Sequence, residues 1–130
     1  MPESHYFARA IALIDAENAQ DPNLETANGQ LRPKELLYAE RMSEMLARFA
    51  PEASEAVKLA VRAQHICRWK IPRKDYPMTP QGYQDWRTTL YKFHAETAGK
   101  LLKESGYDDE TMERVKKIVH HCSGDIGEFP

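Results

Sequence analysis

The 130 residues (15.0 kDa) carry 42% hydrophobic and 29% charged side chains, with a formal net charge of -2. These values describe one domain with room for a core, and they exclude both a disordered tail and a broadly basic nucleic-acid binder, so any anion site must be local. Two cysteines, Cys67 and Cys122, lie far apart without paired spacing, which excludes a disulfide framework or zinc ribbon and points to a reducing cytoplasm.

The N-terminal segment MPESHYFARA lacks a basic stretch followed by an apolar run, and no segment approaches ~18 apolar residues, so neither secretion nor a membrane partner is expected. Helical spacing recurs along nearly the whole chain and no stretch alternates convincingly as a strand; the expected class is all-α. In a first helix, Ser4 is the cap and Phe7, Ile11 and Ile14 recur at i, i+4, i+7, until DPN at 21–23 breaks it. A polar loop containing Asn28-Gly29 follows. Pro33 suits the first turn of a second helix, on which Tyr38, Met42, Met45 and Phe49 form one inward stripe before Pro51. Ser54 caps a third helix that places Val57, Val61, His65 and Arg68 on successive turns of one face. Pro72, Pro77 and Pro80 hold the next segment extended, and Thr79-Pro80 opens a long fourth helix. Leu90, His94, Ala98 and Leu101 share its stripe, and Ser105-Gly106 stops it. Asp108 or Asp109 caps a fifth helix with Met112, Val115, Val119 and Cys122 at helical spacing, ending at His120-His121. The remainder, SGDIGEFP, has no period, giving a helical domain over 1–122 and an irregular tail over 123–130.

Chemistry concentrates in RAQHICRWKIPR (62–73), where Arg62, His65, Arg68, Lys70 and Arg73 stand without an acid. A histidine and an arginine three positions apart share one side of a helix, about 4.5 Å apart along its axis. Arginine grips a phosphate through a planar fork, and imidazole moves a proton near neutral pH. Arg62, Arg68, Arg73 and, from the fourth helix, Lys92 are the candidate anion-binding residues. A plainer reading stands beside this one: inward histidines commonly satisfy polar groups at a core's rim. His120-His121 then simply complements a helix C-terminus, while Trp69 and Trp86 pack the proline loop or offer a base-stacking platform.

Three segments, YAERMSEML (38–46), LAVRAQHICRW (59–69) and FHAETAGKLLKESGYDDETMERVKKIVHH (93–121), resemble in order and wording the HD superfamily of metal-dependent phosphohydrolases. More narrowly, RAQHICRWKIPR, YPMTPQGY and KFHAETAGKLL are similar to the domain of unknown function 4202 family, over residues 4–118. The resemblance implies an HD-like helical bundle of about five helices, with His65 and His94 at superfamily histidine positions. It also exposes departures. Tyr38 stands where the first metal-ligand histidine belongs, Ile66 replaces the aspartate of the His-Asp pair, and the last aspartate ligand has no counterpart.

What the resemblance implies is therefore divided. One expectation is a hydrolase acting on a small phosphorylated or nucleotide-like ligand: His65 is lead ligand or general base, His94 its partner, Glu96 a further candidate, and Arg68 with Arg73 stabilises developing charge. In that form His65 and His94 bind a divalent metal, Mn, Fe, Ni or Zn, with Glu96 or His120 nearby. The other is a non-catalytic module that has lost the metal site and keeps the anion site for a nucleotide or an RNA phosphate. A third keeps the histidines in the core and uses the helices for contacts between copies, since an apolar groove left uncovered favours a homo-oligomer.

Overall fold

The structure, a computed structural model, describes residues 5–125, with side chains described through residue 120. Ser4, the expected cap of the first helix, and residues 126–130 lie outside the described residues. The architecture is all-α: five α-helices with two short 3-10 turns and one small hairpin among the described residues. Helix α1 covers His5–Asn18, α2 Lys34–Phe49, α3 Glu55–Arg62, α4 Pro80–Ser105 and α5 Asp109–Asp125; strands β1 (Leu24–Ala27) and β2 (Gln30–Pro33) lie between α1 and α2. The last helix thus runs three residues past the expected end of the helical domain at residue 122.

Helix α4 is the axis of the bundle. It packs against α5 and α1, while α3 bridges α5 and α2. Its inward stripe is the expected one: Leu90, His94, Ala98 and Leu101 are all buried, joined by Ala95 and Leu102. The ends follow local chemistry. Thr79 Oγ1 accepts from the Gly82 N–H at 3.0 Å, Pro80 occupies the first turn, and Gly106 (φ 107) closes the C-terminus in the left-handed region. Ser54 Oγ caps α3 through the Val57 N–H at 3.2 Å, and Asp108 Oδ1 accepts from the Thr111 N–H at 2.8 Å at the start of α5. Val115 and Val119 seal the core from α5, and Ala10 and Ile14 from α1.

Four expectations are corrected. The segment expected as a polar loop is an antiparallel hairpin, with Leu24 opposite Pro33 and Ala27 opposite Gln30. Asn28 (φ 52) and Gly29 (φ 78) both take the left-handed conformation of a two-residue type I′ turn. No apolar alternation announces these strands because neither face is buried: Leu24 and Leu31 are both exposed. The hairpin is held to α2 by charge, through a bidentate Arg32–Glu40 pair (2.7 and 2.8 Å) and Arg41–Glu25 at 2.8 Å.

The stripe Tyr38, Met42, Met45, Phe49 does not face the core over its length. Leu37 and Ala39 are buried instead, and Met45 and Phe49 are exposed, Phe49 to 74%.

Finally, α3 ends at Arg62, so His65 and Arg68 are not on an α-helix. Ala63, Gln64, His65, Ile66 and Cys67 are all buried, and five consecutive residues cannot share one helical face. The chain unwinds into turns here. Cys67 adopts φ 57, and its N–H donates to the buried Asn18 Oδ1 at 3.0 Å, fixing the turn to the end of α1. The segment beyond is not extended throughout, since Arg73–Asp75 form a 3-10 turn between Pro72 and Pro77, and another, Arg68–Lys70, precedes Pro72.

Candidate functional site

The unwound segment after α3, the N-terminal turns of α2 and the start of α4 enclose a cleft of about 740 Å³. Each wall is held by hydrogen bonds. Pro33 at the N-cap of α2 offers no side-chain acceptor, so the buried Asp21 supplies one from a distance: its Oδ2 accepts from the Glu35 N–H at 2.9 Å, while Oδ1 accepts from the Asn23 N–H at 2.9 Å. That clamp sets the register of Lys34, Glu35, Tyr38 and Arg41, which recur at helical spacing along the cleft. On the opposite wall, Trp86 of α4 donates its indole N–H to the Ile71 carbonyl at 2.8 Å, and Arg73 Nη1 donates to the Tyr76 and Pro77 carbonyls at 3.2 and 3.0 Å. The proline segment is pinned at both ends.

At the centre lies His65, 7% exposed. Tyr38 stacks on it with centroids 4.5 Å apart and planes 9° from parallel. Its Nδ1 lies 4.0 Å from Glu35 Oε1 and 3.5 Å from Arg68 Nη1, a contact in which only the guanidinium can donate. The imidazole therefore sits between a carboxylate and a cation, its ring plane fixed by a phenol. Arg68 is in turn held over the Trp86 ring at 5.5 Å, and Arg73 at 5.9 Å. Five cationic side chains, Lys34, Arg41, Arg68, Arg73 and Lys74, face the cleft against two carboxylates, Glu25 and Glu35. A domain of net charge -2 has gathered a local positive excess.

His94 comes close without lining the cleft. Its ring centroid is 5.9 Å from that of His65, but it is 0% exposed within the bundle. Burial, with His65 and Arg68 adding to it, pushes its pKa down to about 3, so the ring is neutral at ordinary pH.

Of the residues singled out from sequence, His65, Arg68 and Arg73 meet in the cleft, and His94 backs it. The other three do not join them. Arg62 makes a bidentate pair with Asp15, both bonds 2.8 Å, tying α3 to α1. Lys92 and Glu96 lie exposed on α4, away from the cleft lining. The metal expectation meets a thin donor set: Tyr38 stacks on His65, Ile66 is sealed in the core, and among the described residues no three His, Cys, Asp or Glu side chains converge to hold an ion. Two imidazoles, one behind the other, are two donors where a divalent site takes three or more protein ligands.

Sequence reasoning missed Lys34, Glu35 and Arg41. These carry a signal, a polar stripe with Tyr38 on one face of α2. Among the described residues no helix is long and apolar enough to cross a membrane. No curated protein and no solved structure matches the chain. Residues 8–123 match the family model described as "Domain of unknown function (DUF4202)", and the chain belongs to that family.

Proposed function

We propose that the cleft around His65 binds a small phosphorylated, nucleotide-like ligand. The observation that carries this reading is the convergence of five cations from α2 and the two 3-10 turns on one partly enclosed hollow, in a chain that is acidic overall. Two are arginines braced over an indole ring, which keeps the guanidinium planes oriented and reduces what a phosphate must order on binding. Net acidity with a local positive patch favours a small anion over extended RNA, where several phosphates would have to be met at once.

Hydrolysis is the second reading, favoured by one contact: Glu35 Oε1 stands 4.0 Å from His65 Nδ1. A carboxylate beside Nδ1 stabilises the imidazolium that forms when that nitrogen takes a proton from an attacking water, with Arg68 turned from the ring to the phosphoryl group. Arg68 and Arg73 would then meet charge developing on the phosphoryl oxygens. This reading is in keeping with the resemblance to the HD phosphohydrolases and rests the proton transfer on His65.

The test is a thermal-shift and calorimetric screen of inorganic phosphate, pyrophosphate and nucleotides, with and without Mn, on wild type and Arg68→Ala. Binding lost in Arg68→Ala supports the cleft. A panel in which no phosphorylated compound stabilises the wild type removes the proposal. Turnover abolished in a folded His65→Ala variant that still binds would select hydrolysis.

A further inference from the structure

A second recess of about 660 Å³ adjoins the cationic cleft and shares Arg73 and Trp86 with it. Its remaining walls are Met78, Thr79, Pro80, Tyr83 and Gln84, from the end of the proline segment and the first turns of α4. The two hollows differ in chemistry: one is dominated by cations, the other mostly by carbon. We infer that the recess receives the planar base of a nucleotide whose phosphates lie in the cationic cleft, which makes the ligand class of the site a nucleotide rather than a phosphate ester in general. This inference rests on the proposed function of the cleft and adds a separate requirement to it.

Three observations carry it. First, Arg73 belongs to both hollows: its guanidinium carbon lies 5.7 Å from the Tyr83 ring centroid and 5.9 Å from that of Trp86. A cation at the junction suits the point where an apolar ring gives way to an anionic group. Second, Met78 is 73% exposed, although Pro77 beside it packs against α4 closely enough that a Cβ on Gly82 would lie 2.0 Å from the Pro77 carbonyl oxygen. A large apolar side chain held out by a clamped backbone, beside a half-buried tyrosine, is a surface that water wets poorly and a flat ring covers well. Third, the recess is already formed. The Thr79 cap, the Trp86 bond to Ile71 and the two bonds from Arg73 all hold its walls, so binding need not order a loop. Trp86, 6% exposed, forms the floor, and Tyr83 and Met78 supply the contact face.

The experiment compares inorganic pyrophosphate with AMP, GMP, CMP and their diphosphates by isothermal titration calorimetry, on wild type, Met78→Ala and Tyr83→Ala. Stacking on such a surface makes the preferred nucleoside diphosphate bind about tenfold tighter than pyrophosphate. Each variant should lose most of that margin while keeping wild-type affinity for pyrophosphate, which also shows that it is folded. Met78 is exposed in a loop, so its truncation leaves the fold intact even if Tyr83→Ala does not. Equal affinity for pyrophosphate and every nucleoside diphosphate, or a margin unchanged in Met78→Ala and in any folded Tyr83→Ala, overturns the base recess and leaves the phosphate cleft standing. Failure of all these probes to bind wild type overturns both.

Discussion

Replacing His94 by glutamine should flatten the acid limb of the stability profile. Buried in α4 with His65 and Arg68 beside it, His94 has its pKa pushed down to about 3 from an ordinary 6.5, so the folded protein holds the ring neutral while the unfolded chain protonates it. Between those two values the unfolded state binds the extra proton, and stability falls as pH falls. It is undiminished by this group above pH 6.5, then drops by roughly 1.4 kcal/mol for each pH unit below that. By pH 5 the loss is about 2 kcal/mol, a substantial share of a domain stability of roughly 5–15 kcal/mol. Urea denaturation followed by far-UV circular dichroism at pH 7 and pH 5 measures it. The glutamine variant starts less stable at pH 7 but should lose about 2 kcal/mol less over the interval, because carboxylates and other histidines titrate in both proteins. Equal losses in the two proteins would refute the assignment of a neutral, desolvated His94.

Arg62→Ala should cost about 1–3 kcal/mol in urea denaturation by stranding the partly buried Asp15, while leaving phosphate affinity unchanged because Arg62 lies outside the cleft. Glu25→Gln should raise pyrophosphate affinity roughly twofold to fivefold by calorimetry, since Glu25 holds Arg41 at 2.8 Å across an exposed ion pair that an anion must compete with. Gly82→Ala should lower stability by about 1–3 kcal/mol in the same denaturation assay, as its methyl meets the Pro77 carbonyl and forces the proline segment off α4. Cys67, buried beside Glu17 with burial pushing its thiol up to about 11, should resist iodoacetamide at pH 8 in the native protein and react in urea, as peptide mapping would detect.

The helical class, the caps of α3, α4 and α5 and the inward stripe of α4 were legible in the residues alone, because each depends on contacts within a few positions: Ser54 with Val57, Thr79 with Gly82, Asp108 with Thr111. The grouping of His65, Arg68 and Arg73 was legible too, although the helix expected to carry it is absent. A turn closed by the Arg68 N–H on the His65 carbonyl at 3.1 Å sets the two side by side much as an α-turn would, so the right neighbours followed from the wrong element. The hairpin was missed despite its Asn28-Gly29 turn, since strands with no buried face leave no alternation to detect.

What the sequence by itself determined is where α3, α4 and α5 start and which stripe α4 buries, because turn chemistry and periodicity act over one or two turns of chain. Only the tertiary structure decided which cations share a hollow. Lys34 and Arg41 line the cleft of His65 because Asp21, fourteen residues before Glu35, clamps the start of α2, and Arg62 is withdrawn because Asp15, forty-seven residues away, binds it first. A charged side chain takes the partner that folding brings within reach, and no local pattern encodes that choice.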